Sequence, residues 1–335
     1  MLRVVVFILL SFIPAISGFC AVHDSIVRMK DCVPEPGFVY QEKISPAARS
    51  TMTVLSMIGF NDYEQIAPYD SVKNKFVEPG KSFRKKYQVQ IDTVSSRKVC
   101  YIFPSEKISG GKTIIYLHGG GYIGNLNKNY YSNIFKPLLD SSKVTLIVPD
   151  YGLAPFYDYK AAYRMLDKLY QQVVAKQGSE NLILMGESAG GGLALGFALW
   201  LKENGRSLPK SLILMSPWLD ITMSNPDIPA IEDVILSVNP LKEAGLLWAN
   251  GSDPTHYMLS PLNGNFQGLP PVYVFTGGKD MLYPDMLIFE KRMNKICQPV
   301  KMYFYPEMFH FWTIVSVFPE SKDAMMRVNR IIRGL

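Results

Sequence analysis

Histidine, cysteine and long apolar runs are all scarce in this sequence. The 335 residues include 4 histidines and 4 cysteines, and the cysteine spacing matches no metal-binding motif. The apolar run at 4–13 is too short for a comfortable membrane span of about 20 residues. Internal repeats and low-complexity tracts are also absent. Charged residues make up only 19% of the chain and hydrophobic residues 48%, so the composition excludes extended disorder and permits one large core.

The net charge of +6 does not indicate a nucleic-acid-binding protein. Lysines and arginines are dispersed along the chain, and the densest cluster, at 84–86, lies in ordinary polar sequence. A solvated charged face explains this pattern better than a nucleic-acid partner.

A G-x-S-x-G pattern provides a candidate nucleophile. Gly186 and Gly190 flank Ser188, directly after the apolar run at 182–185. Small flanking residues allow two backbone segments to pass closely, and a tight turn at the end of a strand can present a serine hydroxyl. The pattern therefore predicts covalent catalysis, provided that partner groups exist.

A second glycine-rich turn follows a β-rich run at 113–117. The run ends in His118, followed by Gly119, Gly120 and Gly121. An oxyanion needs backbone N–H donors that converge on one point, and side chains would block that approach. This turn is therefore a candidate oxyanion hole rather than a merely flexible linker.

The choice of general base is narrow. His23 lies near the start of the chain, His118 belongs to the glycine turn, and His256 lies in a polar loop. His310 follows the strand-like run at 300–305, where a loop at the carboxyl end of a strand suits a base that accepts the proton of a serine. His310 is therefore the predicted base.

The acid that orients the base should lie between serine and histidine in the chain order of an α/β-hydrolase. The buried strand predicted at 271–276 leads to Asp280, which is the preferred candidate. Asp285 is its rival, but its position fits the first turn of the next helix.

These motifs together resemble the hormone-sensitive-lipase-like carboxylesterases. The resemblance covers about residues 98–333, and it is specific because the order, spacing and strand context of the motifs agree. The motifs are 118–122 (HGGGY), 150–155 (DYGLAP), 186–191 (GESAGG), 216–220 (SPWLD), 269–271 (LPP), the turn at Asp280, and His310 with Phe311.

The resemblance implies an α/β-hydrolase fold with a helical cap, no cofactor, and hydrolysis of short- to medium-chain esters through an acyl-serine. It implies oxyanion donors at the N–H groups of Gly120, Gly121 and Ala189, with Gly119 shaping the turn. His118 would orient the glycine loop and take no proton from Ser188.

Other functions remain open on the sequence. A ligand-binding or receptor-like homologue could keep this scaffold without catalysis, and an amidase, lactonase or acyltransferase could use the same groups. The expected partner is a small-molecule ester. Transient contact with a membrane or lipid surface and the oligomeric state both stay open.

Two departures from the family pattern affect local packing only. Gly152 stands where the family usually carries an arginine, so a charged anchor is missing. The stretch at 156–160 replaces a proline-rich segment. Neither position carries a catalytic group.

Alternating strand and helix patterns predict a mostly parallel, doubly wound sheet. Two antiparallel edge strands are predicted at 87–91 and 99–103, followed by buried parallel strands. The parallel strands are predicted at 113–117, 143–149, 181–185, 211–215, 271–276 and 300–305, and helices at about 129–140, 157–176, 190–204, 284–296 and 319–334.

The same patterns divide the chain into a leader, a cap and a catalytic domain. Residues 1–21 have a basic start, an apolar core and small residues near position 17, the layout of a secretory signal peptide, with an uncleaved anchor as the alternative. Residues 22–85 form an N-terminal cap, and 86–335 the catalytic domain with a cap insertion at about 220–260.

Side chains of the cap could line an acyl pocket, although a core position is the stronger expectation for each. The candidates are Met52, Met57, Ile58, Phe60 and Trp248.

Cys100 lies in a strand-like run and reads as a buried small hydrophobe. No disulfide bond is assigned from the sequence, because spacing does not provide connectivity.

Overall fold

The computed structural model describes residues 36–60, 75–106 and 111–335. Nine strands within these residues form one sheet. They are β1 (Phe38–Val39), β2 (Gln88–Val94), β3 (Arg97–Phe103), β4 (Thr113–Leu117), β5 (Thr145–Pro149), β6 (Leu182–Glu187), β7 (Ser211–Met215), β8 (Val272–Lys279) and β9 (Val300–Phe309).

Eight α-helices accompany the sheet in the described part of the chain. They are α1 (Pro46–Met57), α2 (Lys81–Lys86), α3 (Lys136–Ser142), α4 (Tyr159–Gln177), α5 (Ala189–Glu203), α6 (Val238–Ala249), α7 (Tyr283–Lys295) and α8 (Pro319–Gly334). Short 3-10 turns occur at Ile228–Ala230, Pro261–Asn263 and Trp312–Ile314, and a π-helical turn at Tyr131–Phe135 precedes α3.

The strand order is β1-β9-β8-β7-β6-β4-β5-β3-β2. All neighbours from β1 to β5 in this order run parallel, whereas β3 is antiparallel to both β5 and β2. The predicted doubly wound sheet is confirmed. The prediction of two edge strands is wrong for β3, which lies between β2 and β5. β1 was missed because two residues carry no readable alternation.

Helices cover both faces of the sheet. Successive side chains of a strand point to opposite faces: Ile115 of β4 belongs to one buried apolar cluster, which includes residues of α4, α5 and α7, and Ile114 belongs to the other, which includes residues of α3 and α8. Burial on both faces explains why these strands read as continuous apolar runs.

The described segments outside the sheet carry helices of their own. α1 and α2 lie within 36–60 and 75–106, and α6 lies in the predicted cap insertion. The side chain of Ser45 caps α1 by accepting a hydrogen bond from the Ala48 N–H. Ser45 in turn donates to Glu320 of α8 from its backbone N–H at 2.6 Å and its hydroxyl at 2.9 Å. This buried contact ties the N-terminal helix to the last helix of the fold.

Predicted leader residues 1–21 lie outside the described residues. Of the helices in the described ranges, none is both long and apolar enough to cross a membrane.

The cysteines differ in state. Cys100 is free and fully buried in β3, as the sequence predicts. Cys297 is disulfide-bonded, a bond that the sequence analysis left unassigned. Sequence spacing could not show this bond, because disulfide geometry depends on the distance between Cα atoms in the folded chain.

The backbone of α5 passes very close to the end of β4. A Cβ atom on Gly190 would collide with the carbonyl oxygens of Leu117 and His118, and one on Gly186 would collide with the Gly190 carbonyl. These two glycines let the helix start directly at the strand ends. The local contact between helix and sheet therefore requires them.

We expect Gly190→Ala to lower the free energy of unfolding by about 2–3 kcal/mol, because displacing β4 costs more than the roughly 1 kcal/mol that alanine gains in a helix. Urea unfolding followed by circular dichroism measures the change. Gly80→Ala is the matched control, since Gly80 has a φ of −65° and a Cβ there would meet no atom within 4 Å. Equal stability of both variants would contradict the close approach.

Candidate active site

Ser188 lies on a sharp turn between β6 and α5. Its φ of 53° and ψ of −124° are strained for a residue with a side chain. Hydrogen bonds to the neighbouring loop hold the turn: the Ser188 N–H donates to the Met215 carbonyl at 2.9 Å, and the Trp218 N–H donates to the Ser188 carbonyl at 2.9 Å. Hydrogen bonds to β7 and to the loop that follows it therefore hold the strained conformation of Ser188.

The structure brings Ser188, His310 and Asp280 together. The distance between His310 Nε2 and Ser188 Oγ is 2.9 Å. His310 Nδ1 lies 3.1 Å from Asp280 Oδ1 and 3.0 Å from Oδ2. Hydrogen-bonded nucleophile, base and acid in this order form the geometry of a catalytic triad.

Strand adjacency explains how distant residues meet. Asp280 directly follows β8 and His310 directly follows β9, which is the parallel neighbour of β8. The carboxyl ends of parallel strands lie at the same edge of a sheet, where sites of α/β folds form. The Leu282 N–H donates to Asp280 Oδ1 at 3.0 Å and fixes the carboxylate.

The three side chains are almost completely removed from solvent, with Asp280 0%, His310 2% and Ser188 5% exposed. Burial favours the neutral imidazole, but the nearby carboxylates together outweigh burial and raise the pKa of His310 to about 9, with Asp280 contributing most through its charge and hydrogen bond. Asp233 and Glu187 add smaller contributions in the same direction. The site therefore favours the imidazolium that forms when the base takes a proton.

The glycine loop lies against this turn. Gly120 and Gly121 have φ values of 112° and 60°, which residues other than glycine rarely adopt. The N–H groups of Ile123 and Gly124 donate to the Gly120 carbonyl at 3.1 and 2.7 Å and close the loop. Ala189 is the first residue of α5, where N–H groups point out of the helix end.

Gly119 has a different environment from the next two glycines. Its N–H donates to Glu187 Oε2 at 3.3 Å, and a Cβ on Gly119 would collide with the Glu187 carboxylate. Gly119 thus holds the loop on the turn, which agrees with a role in shaping it.

His118 is buried below the loop. Burial lowers its pKa to about 4, so the ring is neutral, and its Nδ1 lies 2.7 Å from the Gly119 carbonyl oxygen. The Tyr151 hydroxyl donates to the His118 carbonyl at 2.5 Å, and the two rings stack with centroids 4.6 Å apart. His118 therefore contacts the loop backbone.

Sequence reasoning missed two buried acids near the site. Glu187 is 0% exposed, burial raises its pKa, and its Oε2 accepts hydrogen bonds from the Tyr130 hydroxyl and the Gly119 N–H. An acid next to a buried serine could have drawn attention to Glu187. Asp233 lies near Asp280 and His310, but no motif marks it.

The rival candidates lie elsewhere. Asp285 is in the first turn of α7, completely buried, and accepts a hydrogen bond from Asn225 Nδ2 at 2.7 Å. This confirms its predicted position at the start of a helix. His256 accepts a hydrogen bond from the Met258 N–H within its own loop, and His23 lies outside the described residues.

Arg97 of β3 supplies a charge near Gly152. It pairs with the Asp150 carboxylate at 2.7 Å, and its guanidinium lies 4.9 Å from the centroid of the Tyr157 ring. A Cβ on Gly152 would collide with that ring. An arginine from a neighbouring strand therefore anchors this loop, where the sequence resemblance leads us to expect an arginine in place of Gly152.

The cap candidates fall into different environments. Trp248 is fully buried and stacks on Tyr122, so it is a core residue. Met57 is 80% exposed, and Ile58 and Phe60 are also exposed. Met52 lies beside a groove of about 860 Å³ between α1 and the segment 230–234.

A metal site is not evident in the described ranges, where no three His, Cys, Asp or Glu side chains are grouped to hold an ion.

Comparison with known proteins identifies the family. Residues 114–314, which include Ser188, Asp280 and His310, match the family described as alpha/beta hydrolase fold. The chain is 31% identical over 235 residues to an esterase of Acinetobacter venetianus, covering 68% of this chain and 76% of that protein. It is 28% identical over 228 residues to an acetyl-hydrolase of Streptomyces hygroscopicus, covering 67% and 76%.

Solved structures agree in fold. The crystal structure of an esterase/lipase from an uncultured bacterium superposes with a TM-score of 0.75 at 25% identity, covering 87% of this chain and 98% of that one. An esterase from the bacterial hormone-sensitive lipase family, at 22% identity, gives a TM-score of 0.73 with 88% and 99% coverage. A catalytically silent homologue is not favoured by these relatives. The chain therefore belongs to the α/β-hydrolase fold family and is a carboxylesterase.

Proposed function

We propose that this carboxylesterase hydrolyses short- to medium-chain esters through an acyl-serine on Ser188. The observation that carries the proposal is the continuous hydrogen-bonded chain from Asp280 through His310 to Ser188, with distances of 3.0 and 2.9 Å. A serine hydroxyl is a weak nucleophile at neutral pH, and an adjacent oriented base activates it.

The reaction would proceed in two halves. In the first, Ser188 Oγ attacks the ester carbonyl carbon while His310 Nε2 takes the hydroxyl proton, and the same proton then leaves with the alcohol as the C–O bond breaks. In the second, water gives a proton to His310 and attacks the acyl-serine, and that proton returns to Ser188 as the carboxylic acid departs. Asp280 keeps the proton on Nδ1 and stabilises the imidazolium.

The negative carbonyl oxygen of each tetrahedral intermediate would rest on backbone N–H groups of Gly120, Gly121 and Ala189. Positive φ values at both glycines and the helix start at Ala189 support this assignment. Gly119 would shape the loop through its bond to Glu187.

The acyl-chain preference rests on the relatives and on the cap. The relative from Streptomyces hygroscopicus is named an acetyl-hydrolase, and α6 packs over the glycine loop, since a Cβ on Gly121 would lie 3.9 Å from the Ala244 side chain. A helix that covers the loop limits the room for long chains.

We also propose export from the cytoplasm. The disulfide bond at Cys297 supports export, because disulfides persist in oxidising compartments and are rare in the cytosol. The composition of residues 1–21, which resembles a secretory signal peptide, supports the same proposal.

Export predicts a mature protein that begins between about residues 17 and 24. Amino-terminal sequencing of protein from its native host measures this directly. Retention of residues 1–21 with activity that sediments with membranes would support the anchored alternative. A soluble cytoplasmic enzyme that starts at Met1 would contradict both.

Against nitrophenyl esters from acetate to palmitate, we expect the highest kcat/KM at or below about eight carbons. Ser188→Ala should lower kcat on every ester by roughly three to six orders of magnitude without unfolding the protein, because the nucleophile is lost. An organophosphonate should label Ser188 alone. A maximum at palmitate would contradict the chain-length proposal, and an active alanine variant would contradict the nucleophile.

The two acids near the site provide a matched pair of variants. Asp280→Asn should lower kcat by on the order of ten-thousandfold, because an amide favours the wrong imidazole tautomer. Asp285→Asn keeps an oxygen to accept from Asn225 and should cost at most about 1 kcal/mol of helix-start stability. Steady-state kinetics and urea unfolding of both variants test this. The opposite ranking of the two kcat values would exchange their roles.

A further inference from the structure

A second buried carboxylate lies beside the candidate acid. Asp233 follows the 3-10 turn at Ile228–Ala230, and its side chain is 2% exposed. Its Oδ2 accepts a hydrogen bond at 3.0 Å from the backbone N–H of Met281. Met281 directly follows Asp280, so Asp233 holds the peptide that carries the acid.

The other oxygen of Asp233 faces its own segment. Oδ1 accepts from the N–H of Ile235 at 2.8 Å and from the N–H of Leu236 at 3.3 Å. One carboxylate thus connects the segment before α6 with the turn after β8. The contact requires an acceptor at both oxygens, which an ionised carboxylate supplies and an amide does not.

Asp233 also interacts electrostatically with Asp280 and His310. Burial and the neighbouring charge of Asp280 raise the pKa of Asp233 to about 6, while His310 acts in the opposite direction. Asp280, Asp233 and Glu187 are the charged groups that raise the pKa of His310. Two neighbouring buried carboxylates repel each other, and a positive imidazole that interacts with both of them reduces that cost.

We propose that Asp233 is a positioning residue for the triad, which holds the Asp280 turn in place and adds a second negative charge that stabilises the imidazolium of His310. The inference rests on the proposed roles of Ser188, His310 and Asp280. The segment before α6 therefore contributes to catalysis, because a shift of that segment would move the Asp233 charge and, through the Met281 contact, Asp280.

The test compares Asp233→Asn with Glu232→Gln, which removes an exposed charge from the adjacent residue. The profile of kcat/KM against pH reports the pKa of the free base, which must be neutral to accept a proton. Loss of a negative neighbour lowers that pKa, so the acidic limb of Asp233→Asn should move to lower pH by about one pH unit. Its kcat should fall by about tenfold with little change in KM, because one amide oxygen cannot accept from both the Met281 N–H and the Ile235 N–H. Glu232→Gln should match the wild type.

Asp233→Glu separates charge from geometry. It keeps the negative charge but lengthens the side chain, so its limb should stay near that of the wild type while kcat falls. This variant also serves as the test if Asp233→Asn does not fold. An acidic limb that does not move in Asp233→Asn would overturn the inference, because a purely structural role would lower kcat without shifting the limb. A limb that moves to lower pH in Asp233→Glu would overturn it as well.

The wild-type enzyme keeps the two proposals distinguishable. Failure of an organophosphonate to label Ser188 in the wild type would remove the triad on which the inference rests. Labelling of Ser188 together with wild-type kinetics in Asp233→Asn would overturn the role of Asp233 alone.

Discussion

The close approach of α5 to the end of β4 is the constraint on which the site depends. Gly190 lets the first turn of the helix touch the Leu117 and His118 carbonyls, and this contact brings the glycine loop against Ser188. The strain of Ser188 at a φ of 53° is held by hydrogen bonds from the β7 loop. A strained residue persists only where surrounding structure fixes it. The conformation of Ser188 is therefore set by the packing of the backbone around it.

Buried charge is the second theme of the site. Glu187, Asp233 and Asp280 are almost completely removed from water, where an isolated carboxylate would be costly. Each accepts hydrogen bonds from the chain: Glu187 from the glycine loop, Asp233 from the turn at Met281, and Asp280 from Leu282. Burial weakens solvent screening, so these charges act more strongly on His310 than exposed groups would.

Much of the fold was readable from the sequence. Continuous apolar runs marked the six central parallel strands, because strands buried on both faces need no polar alternation. The error and the omissions fall where the local sequence pattern carries no information. β1 has two residues, the inner position of β3 depends on pairing with β5, and the disulfide at Cys297 depends on distances in the folded chain. The roles of Ser188, Asp280 and His310 stay predictions, which the geometry supports by placing all three in contact.

The sequence by itself determined the family of the protein, the strand and helix alternation, and the candidate nucleophile, base and acid. These features are local: a glycine-flanked serine, a glycine loop after a strand, and single residues at strand ends. Only the tertiary structure decided how Arg97 replaces the missing anchor near Gly152, and how Asp233 reaches the Asp280 turn. Such pairs lie tens of residues apart along the chain. Many polar residues could make such a contact on the basis of sequence alone. The packing of the sheet and the cap determines which residues come close enough to do so.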